Sequence, residues 1–225
     1  MAAGSVLTLQ YNGGYMRKLL FLFGFLCSIG VAPVQGASTA TMAPDVLART
    51  VTDDVLGVLR SDKDILSGNQ KKARDLIESK IAPHFNFAGM TQLAMGRNWR
   101  AASAEQRKAL TDEFRALLVQ TYSASLQLFR DQTIEYRPLK LAPEDTDVVV
   151  RSLVRQAGGG EPVQVDYGVE KTDQGWKIYN VKVGGVSLVE NYRSTFNAEI
   201  QKSGVDGLIR TLRDKNKSLV AQSGK

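Results

Sequence analysis

The hydropathy period of this chain changes twice, and those two switches bound what it can fold into. Up to about residue 130, apolar residues recur at three and four. From 133 to 183 they recur at two, and beyond 187 the spacing of three and four returns. The first spacing places apolar side chains on one stripe of a helix, the second on one face of a strand. Strands joined by short turns form an antiparallel meander, whereas parallel strands need long crossovers. The expected fold is therefore α+β: a curled antiparallel four-stranded sheet at about 133–183, wrapped by N- and C-terminal helices.

The helices announce their own ends. Pro44 opens a helix over 44–60 with Leu47, Val51, Val55 and Leu59 on one face. Ser67-Gly68-Asn69 breaks the chain, a second helix covers 70–81, and Pro83 ends it. A short helix over 85–95 stops at Gly96. Ser103 and Gln106 form a capping box that starts the longest helix, 103–129, with the stripe Leu110, Phe114, Leu117, Leu118, Tyr122, Leu126 and Phe129. Strands are expected over 133–141, 147–155, 163–170 and 176–183, with turns at 158–160 and 173–175. Gly184-Gly185 ends the sheet. A helix over 187–202, closed by Gly204, and a last one capped by Asp206 complete the domain, and the polar stretch 215–225 is expected to fray.

The N-terminus reads as an export signal. Met16-Arg17-Lys18 precedes the apolar run 19–31 and the small-residue stretch Ala32-Pro33-Val34-Gln35-Gly36-Ala37. The expected organisation is a signal peptide over 1–36, with translation starting at Met16, a single domain over 37–216 and a tail over 217–225. The apolar run is shorter than the ~20 residues of a membrane span. Removing 36 of 225 residues leaves 189, enough for one domain with a sizeable core. The removed segment holds Arg17 and Lys18 and no acid, so the net charge of +6 becomes +4. Mild positive charge suits approach to an anionic surface. Basic residues scattered among acids, with no aromatic-interleaved stripe, argue against nucleic acid.

Few residues offer chemistry. Cys27, the single cysteine, lies in the signal, so the mature chain has no thiol or disulfide. His84 is the single histidine; with no cysteine beside it, a His/Cys metal cluster is excluded. A general base at His84 is conceivable, but between Pro83 and Phe85 it reads as structural. Asp147 and Asp166 are the acids an enzyme could use, and Asp166 alternates with Val165 and Tyr167 onto the wet face of its strand. The chain has no P-loop, no dinucleotide fingerprint and no nucleophile elbow. It is rich in large apolar side chains instead, which fill a core or line a cavity.

Two ordered blocks carry a resemblance. The first is Phe87-x-x-Met90-x-x-Leu93-Ala94-Met95-Gly96-Arg97-x-Trp99-Arg100, continued by Ser103-x-x-Gln106-Arg107 and Glu113-Phe114-x-x-Leu117-Leu118-x-x-Thr121-Tyr122. The second is Pro162-Val163-x-Val165-Asp166-Tyr167, Gly175-Trp176-Lys177-Ile178-Tyr179-Asn180-Val181 and Gly185-Val186-Ser187-Leu188-Val189-x-Asn191-Tyr192-Arg193-Ser194-x-Phe196. Over 44–216 the chain resembles the periplasmic lipid-binding component of the Mla (maintenance of lipid asymmetry) system, also called the toluene-tolerance or ABC-transporter auxiliary family. Asn180 departs from an Asp expected in many members. The resemblance implies a soluble, monomeric periplasmic phospholipid carrier with no cofactor and no bound metal. Its implied partners are an inner-membrane ABC transporter with a lipid-binding subunit and an outer-membrane lipoprotein–porin complex. The implied fold is related to nuclear-transport-factor-like and cystatin-like shapes, which leaves an enzyme acting on a small apolar substrate as the alternative. A structural adaptor without a cavity is a third class.

On this reading an apolar cavity lies between the sheet and the helices. Phe87, Met90, Leu93, Phe114, Leu117, Leu118 and Tyr122 are expected to face Val163, Val165, Tyr167, Val169 and Trp176 across the acyl chains. Arg97, Trp99, Arg100, Tyr192 and Arg193 are expected at its rim, where partners dock; the plainer reading makes Trp99 core and the arginines solvated.

Overall fold

The computed structural model describes residues 42–128, 132–156 and 159–223. The signal segment, Phe129 and Gly158 lie outside them. Residues from Thr39 onward form one unit.

Pro44 at the first turn starts α1 (Pro44–Ser61). A short helix not foreseen from the sequence, α2 (Lys63–Leu66), follows because Asp62 accepts the free amides of Asp64 and Ile65. Asn69 caps α3 (Gln70–Leu76), which widens into a π-turn, Ile77–Ile81, before Pro83. Asn86 caps α4 (Phe87–Met95), and a single turn, α5 (Asn98–Ala101), follows Gly96. The capping box forms as expected: the Gln106 amide donates to Ser103 Oγ, and the Ser103 amide to Gln106 Oε1. It opens α6 (Ala104–Ser123), which tightens into 3₁₀ geometry over Ala124–Leu128.

The sheet is an antiparallel meander in sequence order, with five strands: β1 (Thr133–Tyr136), β2 (Asp147–Arg155), β3 (Val163–Thr172), β4 (Gly175–Val183) and β5 (Val186–Ser187). β1 is shorter than the expected 133–141. Pro138 has no amide to donate to the ladder, and pairing stops after the Arg137 amide reaches the Arg151 carbonyl at 2.9 Å. β5 is a fifth strand of two residues, too short for alternation to reveal it. The helix expected at 187–202 begins six residues later. Ser187 pairs with Lys182, and its hydroxyl accepts the amides of Val189 and Glu190, which holds the chain in a turn. A 3₁₀ turn, Glu190–Tyr192, leads into α7 (Arg193–Ser223). Gly204, at φ 70° and ψ −178°, is non-helical and interrupts α7 as expected, so α7 is two helical segments meeting at a kink, the second running to Ser223 through the stretch read from sequence as fraying.

Three apolar clusters hold the fold. The largest joins α4, α6 and α7 through Met90, Met95, Leu110, Phe114, Phe196 and Leu208. A second joins α1, α2 and α3 to Val119 and Leu126. The third lays Leu47, Ala48 and Val51 of α1 on Val150, Val169, Trp176 and Ile178 of the sheet.

Candidate functional site

The expected lining residues fall into two places. Phe87, Met90, Leu93, Phe114, Leu117, Leu118 and Tyr122 belong to the helical cluster. Phe114 meets Tyr192 and Phe196 edge-on, ring centroids 5.1 Å apart in both pairs. Val169, Trp176 and Tyr167 lie in the sheet cluster, under α1. The stripe of α6 packs directly on α4 and α7 through Leu110, Phe114, Leu117 and Leu118, and its end at Leu126 packs with α1, α2 and α3. An amphipathic stripe states that a face is buried, not against what; here α7 meets it with Phe196, Leu208 and Leu212.

The inner face of the sheet is only partly covered. Cross-strand partners share a face. The register places Val148, Val169 and Ile178 in one row, and Val150, Tyr167 and Val181 in the next. Beyond them come Tyr136, Ser152, Val165 and Val183, then Ile134, Val154 and Val163. Burial falls along this series: Val150 and Val169 are 0% exposed, whereas Val163 and Val183 reach 37% and 39%. The polar groups within it are satisfied. Tyr136 donates to Thr52 Oγ1 at 2.8 Å, and Ser152 Oγ to the Val165 carbonyl at 3.0 Å. Burial raises the pKa of both Tyr136 and Tyr167, so the phenols stay neutral. The uncovered end is thus an apolar platform that continues the core into solvent. Ile134, Val154 and Val183 belong to it but were absent from the expected lining. Their alternation with Glu135, Leu153 and Lys182 carried the signal, and it became readable only with the register.

Four of the five expected rim residues do meet. Arg97, Trp99, Arg100 and Arg193 line a groove of about 480 Å³, with Leu93 on the same wall and Asp147, Glu170 and Tyr179 opposite. Tyr192 is not among them; it packs on Phe114 in the helical cluster. Arg193 Nη2 donates to the Leu93 carbonyl at 2.8 Å and to Glu190 at 3.2 Å. Arg107 lies over the Trp99 ring, 5.4 Å from its centroid, and its Nε donates to the Trp99 carbonyl at 3.0 Å. Opposite, Tyr179 donates to Asp147 at 3.0 Å, and burial first, then that carboxylate, push its pKa up to about 12. Asn86 Nδ2 donates to Glu170 at 2.7 Å. Asp166 lies apart from this groove, on the outer face of β3, where Gln164 Nε2 donates to it. Burial, then the Lys177 cation, hold His84 below its ordinary pKa.

The family model described as MlaC protein matches residues 49–214. This chain belongs to the MlaC family. It is 22% identical over 182 residues to the intermembrane phospholipid transport system binding protein MlaC of Haemophilus influenzae, covering 80% of this chain and 85% of that protein. It is 25% identical over 184 residues to the toluene tolerance protein ttg2D of Pseudomonas putida, covering 81% and 84%. Among solved structures it is similar to the phospholipid-binding protein from Ralstonia solanacearum, determined in complex with a phospholipid. The TM-score is 0.70 at 42% identity, over 78% of this chain and 98% of that one.

In this MlaC-family chain the two blocks that carry the resemblance converge physically. The first forms α4, α5 and α6; the second forms most of β3, with β4, β5 and the start of α7. They meet where Phe114 packs on Phe196 and where Arg193 holds the Leu93 carbonyl. Tyr122 adds a bond from its hydroxyl to the Leu188 carbonyl at 3.2 Å. Asn180, where the resemblance leads to an expected aspartate, is buried and accepts the Ser187 hydroxyl at 2.7 Å, an acceptor role an aspartate fills equally well.

Proposed function

We propose that this chain is a phospholipid carrier whose acyl chains lie on the uncovered rows of the sheet around Val163, Val165 and Val183, with the head group in water. The observation that carries the reading is the 42% identity to a protein that holds a phospholipid, over 98% of that protein's length. Physical chemistry supports it. Each methylene removed from water is worth about 0.8 kcal/mol, so two acyl chains cost on the order of 20 kcal/mol gross to carry unprotected. Apolar rows meet that need without direction or charge, and a phosphate left in water avoids a desolvation cost of several kcal/mol. Ser152 is the one polar side chain in the two outer rows besides Tyr136, and the hydroxyls of both are already bonded within the protein. That speaks for a carrier over an enzyme, which needs an ionisable group at the apolar site. On this reading, residues 1–36 direct export to the periplasm and are removed. The carrier exchanges lipid between an outer-membrane lipoprotein–porin complex and the lipid-binding subunit of an inner-membrane ABC transporter, and the groove of Arg97, Trp99, Arg100 and Arg193 docks a partner.

Organic extraction of purified protein, followed by mass spectrometry, tests the carrier. The expected result is diacyl phospholipid near one per chain. Lipid-free protein that also takes none from vesicles overturns the reading.

A further inference from the structure

On the outer face of the sheet, away from the acyl rows, lies a second groove of about 540 Å³, lined by Arg137, Pro138, Leu139, Lys140, Val149 and Arg151. Three of its six residues are cations and none is an acid. Arg137, Lys140 and Arg151 are exposed, and among the described residues none of the three pairs with a carboxylate. Their neighbours do otherwise. Arg155, on the same strand as Arg151, is held by Glu135 at 2.8 Å. Asp166 stands opposite Arg151 in the register, but its carboxylate takes the Gln164 amide at 2.9 and 3.0 Å. Beside the cations, Val149 is 39% exposed, and Leu141, in the loop that follows Lys140, is 42% exposed. The loop is locally fixed: Asp145 accepts the Ala142 amide at 2.8 Å, and its own amide returns to the Ala142 carbonyl at 3.1 Å.

We propose that this groove docks the protein on the surface of an anionic phospholipid bilayer. Unpaired guanidinium and ammonium groups attract lipid phosphates, and exposed apolar side chains beside them enter the head-group layer. An acidic peptide fits less well, because it would match the cations but leave exposed Val149 and Leu141 without an apolar partner. Val149 and Arg151 point away from the face that carries Val150 and Val165, so a carrier could touch a membrane here while its acyl chains stay seated. This goes beyond the carrier reading and does not depend on which partner receives the lipid.

Flotation with vesicles tests it, using equal parts phosphatidylglycerol and phosphatidylcholine against phosphatidylcholine alone. Wild-type protein is expected to float with the anionic vesicles only, and to release as salt is raised. Each basic residue near an anionic surface changes partitioning about fivefold, so the triple variant Arg137→Gln, Lys140→Gln, Arg151→Gln is expected to lose about a hundredfold. Its circular dichroism and extracted lipid are expected to match wild type, which separates this result from any failure of the carrier reading. A second triple, Lys71→Gln, Lys108→Gln, Lys202→Gln, removes equal charge elsewhere and is expected to float normally. Equal loss in both triples reduces the effect to net charge and overturns the proposal. So does wild-type protein that ignores anionic vesicles, or that binds a polyglutamate peptide in their place.

Discussion

Val165 and Leu118 are both apolar, both on regular elements and both expected to line one cavity, yet their neighbours differ. Leu118 is 4% exposed, inside the cluster of α4, α6 and α7. Val165 is half-buried on β3, in the row with Val183 at the open end of the sheet. A carboxylate at 118 has no route to water, so Leu118→Glu is expected to cost about 3–5 kcal/mol and to unfold much of the protein at ambient temperature. A carboxylate at 165 reaches solvent, so Val165→Glu is expected to stay folded, melting within a few degrees of lipid-stripped wild type, while losing extracted lipid. Thermal melts paired with lipid extraction separate the two, and Val165→Glu protein with a full lipid complement would move the acyl site elsewhere. His84 supports a prediction in pH. Burial and the Lys177 cation lower its pKa, so the folded protein binds this proton less readily than the unfolded chain. The resulting stability is full above the ordinary histidine pKa of about 6.5 and is lost as pH falls through the lower folded value. Melting temperature is expected to decline on acidification from pH 8 to 5, less steeply in His84→Gln; equal slopes would clear His84 of the effect.

Among the elements, α7 shows how a bend is written. Gly204 has φ 70° and ψ −178°, a region open to glycine and closed to side chains, while no atom stands within 4 Å of where a Cβ would lie. Gly204→Ala is therefore expected to destabilise by about 1–3 kcal/mol through backbone strain alone. A melt of this variant checks it, and an unchanged transition would mean that the helix straightens at no cost. The same glycine marks what the sequence could convey. It reads correctly as a break in the helical pattern, and the two segments it separates join the α6 cluster through Phe196 and Leu208 respectively. The capping box at Ser103, the bounds of β2 and the meander were legible because each rests on contacts within a few residues or one turn. The docking of α6, the two-residue β5 and the platform residues Ile134, Val154 and Val183 were not. Each is decided by a partner distant in sequence, and periodicity is silent about partners. The slip between Gly168 and Val169, where Tyr179 is left unpaired and its ring lies over Gly168, is of the same kind.

At the scale of the whole molecule, the proposed seat of the acyl chains on the platform predicts a stability that depends on cargo. The sheet cluster runs out into rows where Val163 and Val183 are 37% and 39% exposed. A ligand that binds the folded state alone stabilises it by RT ln(1 + [L]/Kd), about 2.7 kcal/mol at a hundredfold excess over Kd. For a domain of this size each kcal/mol moves the melting temperature by roughly 2–4 °C, so stripping bound phospholipid is expected to lower it by about 5–10 °C. Re-addition from vesicles is expected to restore it. Val165→Glu is expected to melt near the stripped value whether or not lipid is offered, because the row that the acyl chains cover then carries a charge. Calorimetry of native, stripped and reloaded protein, with lipid content measured in each sample, makes the comparison. A melting temperature that ignores lipid content would place the acyl chains away from the sheet cluster, on a surface whose exposure costs the fold nothing.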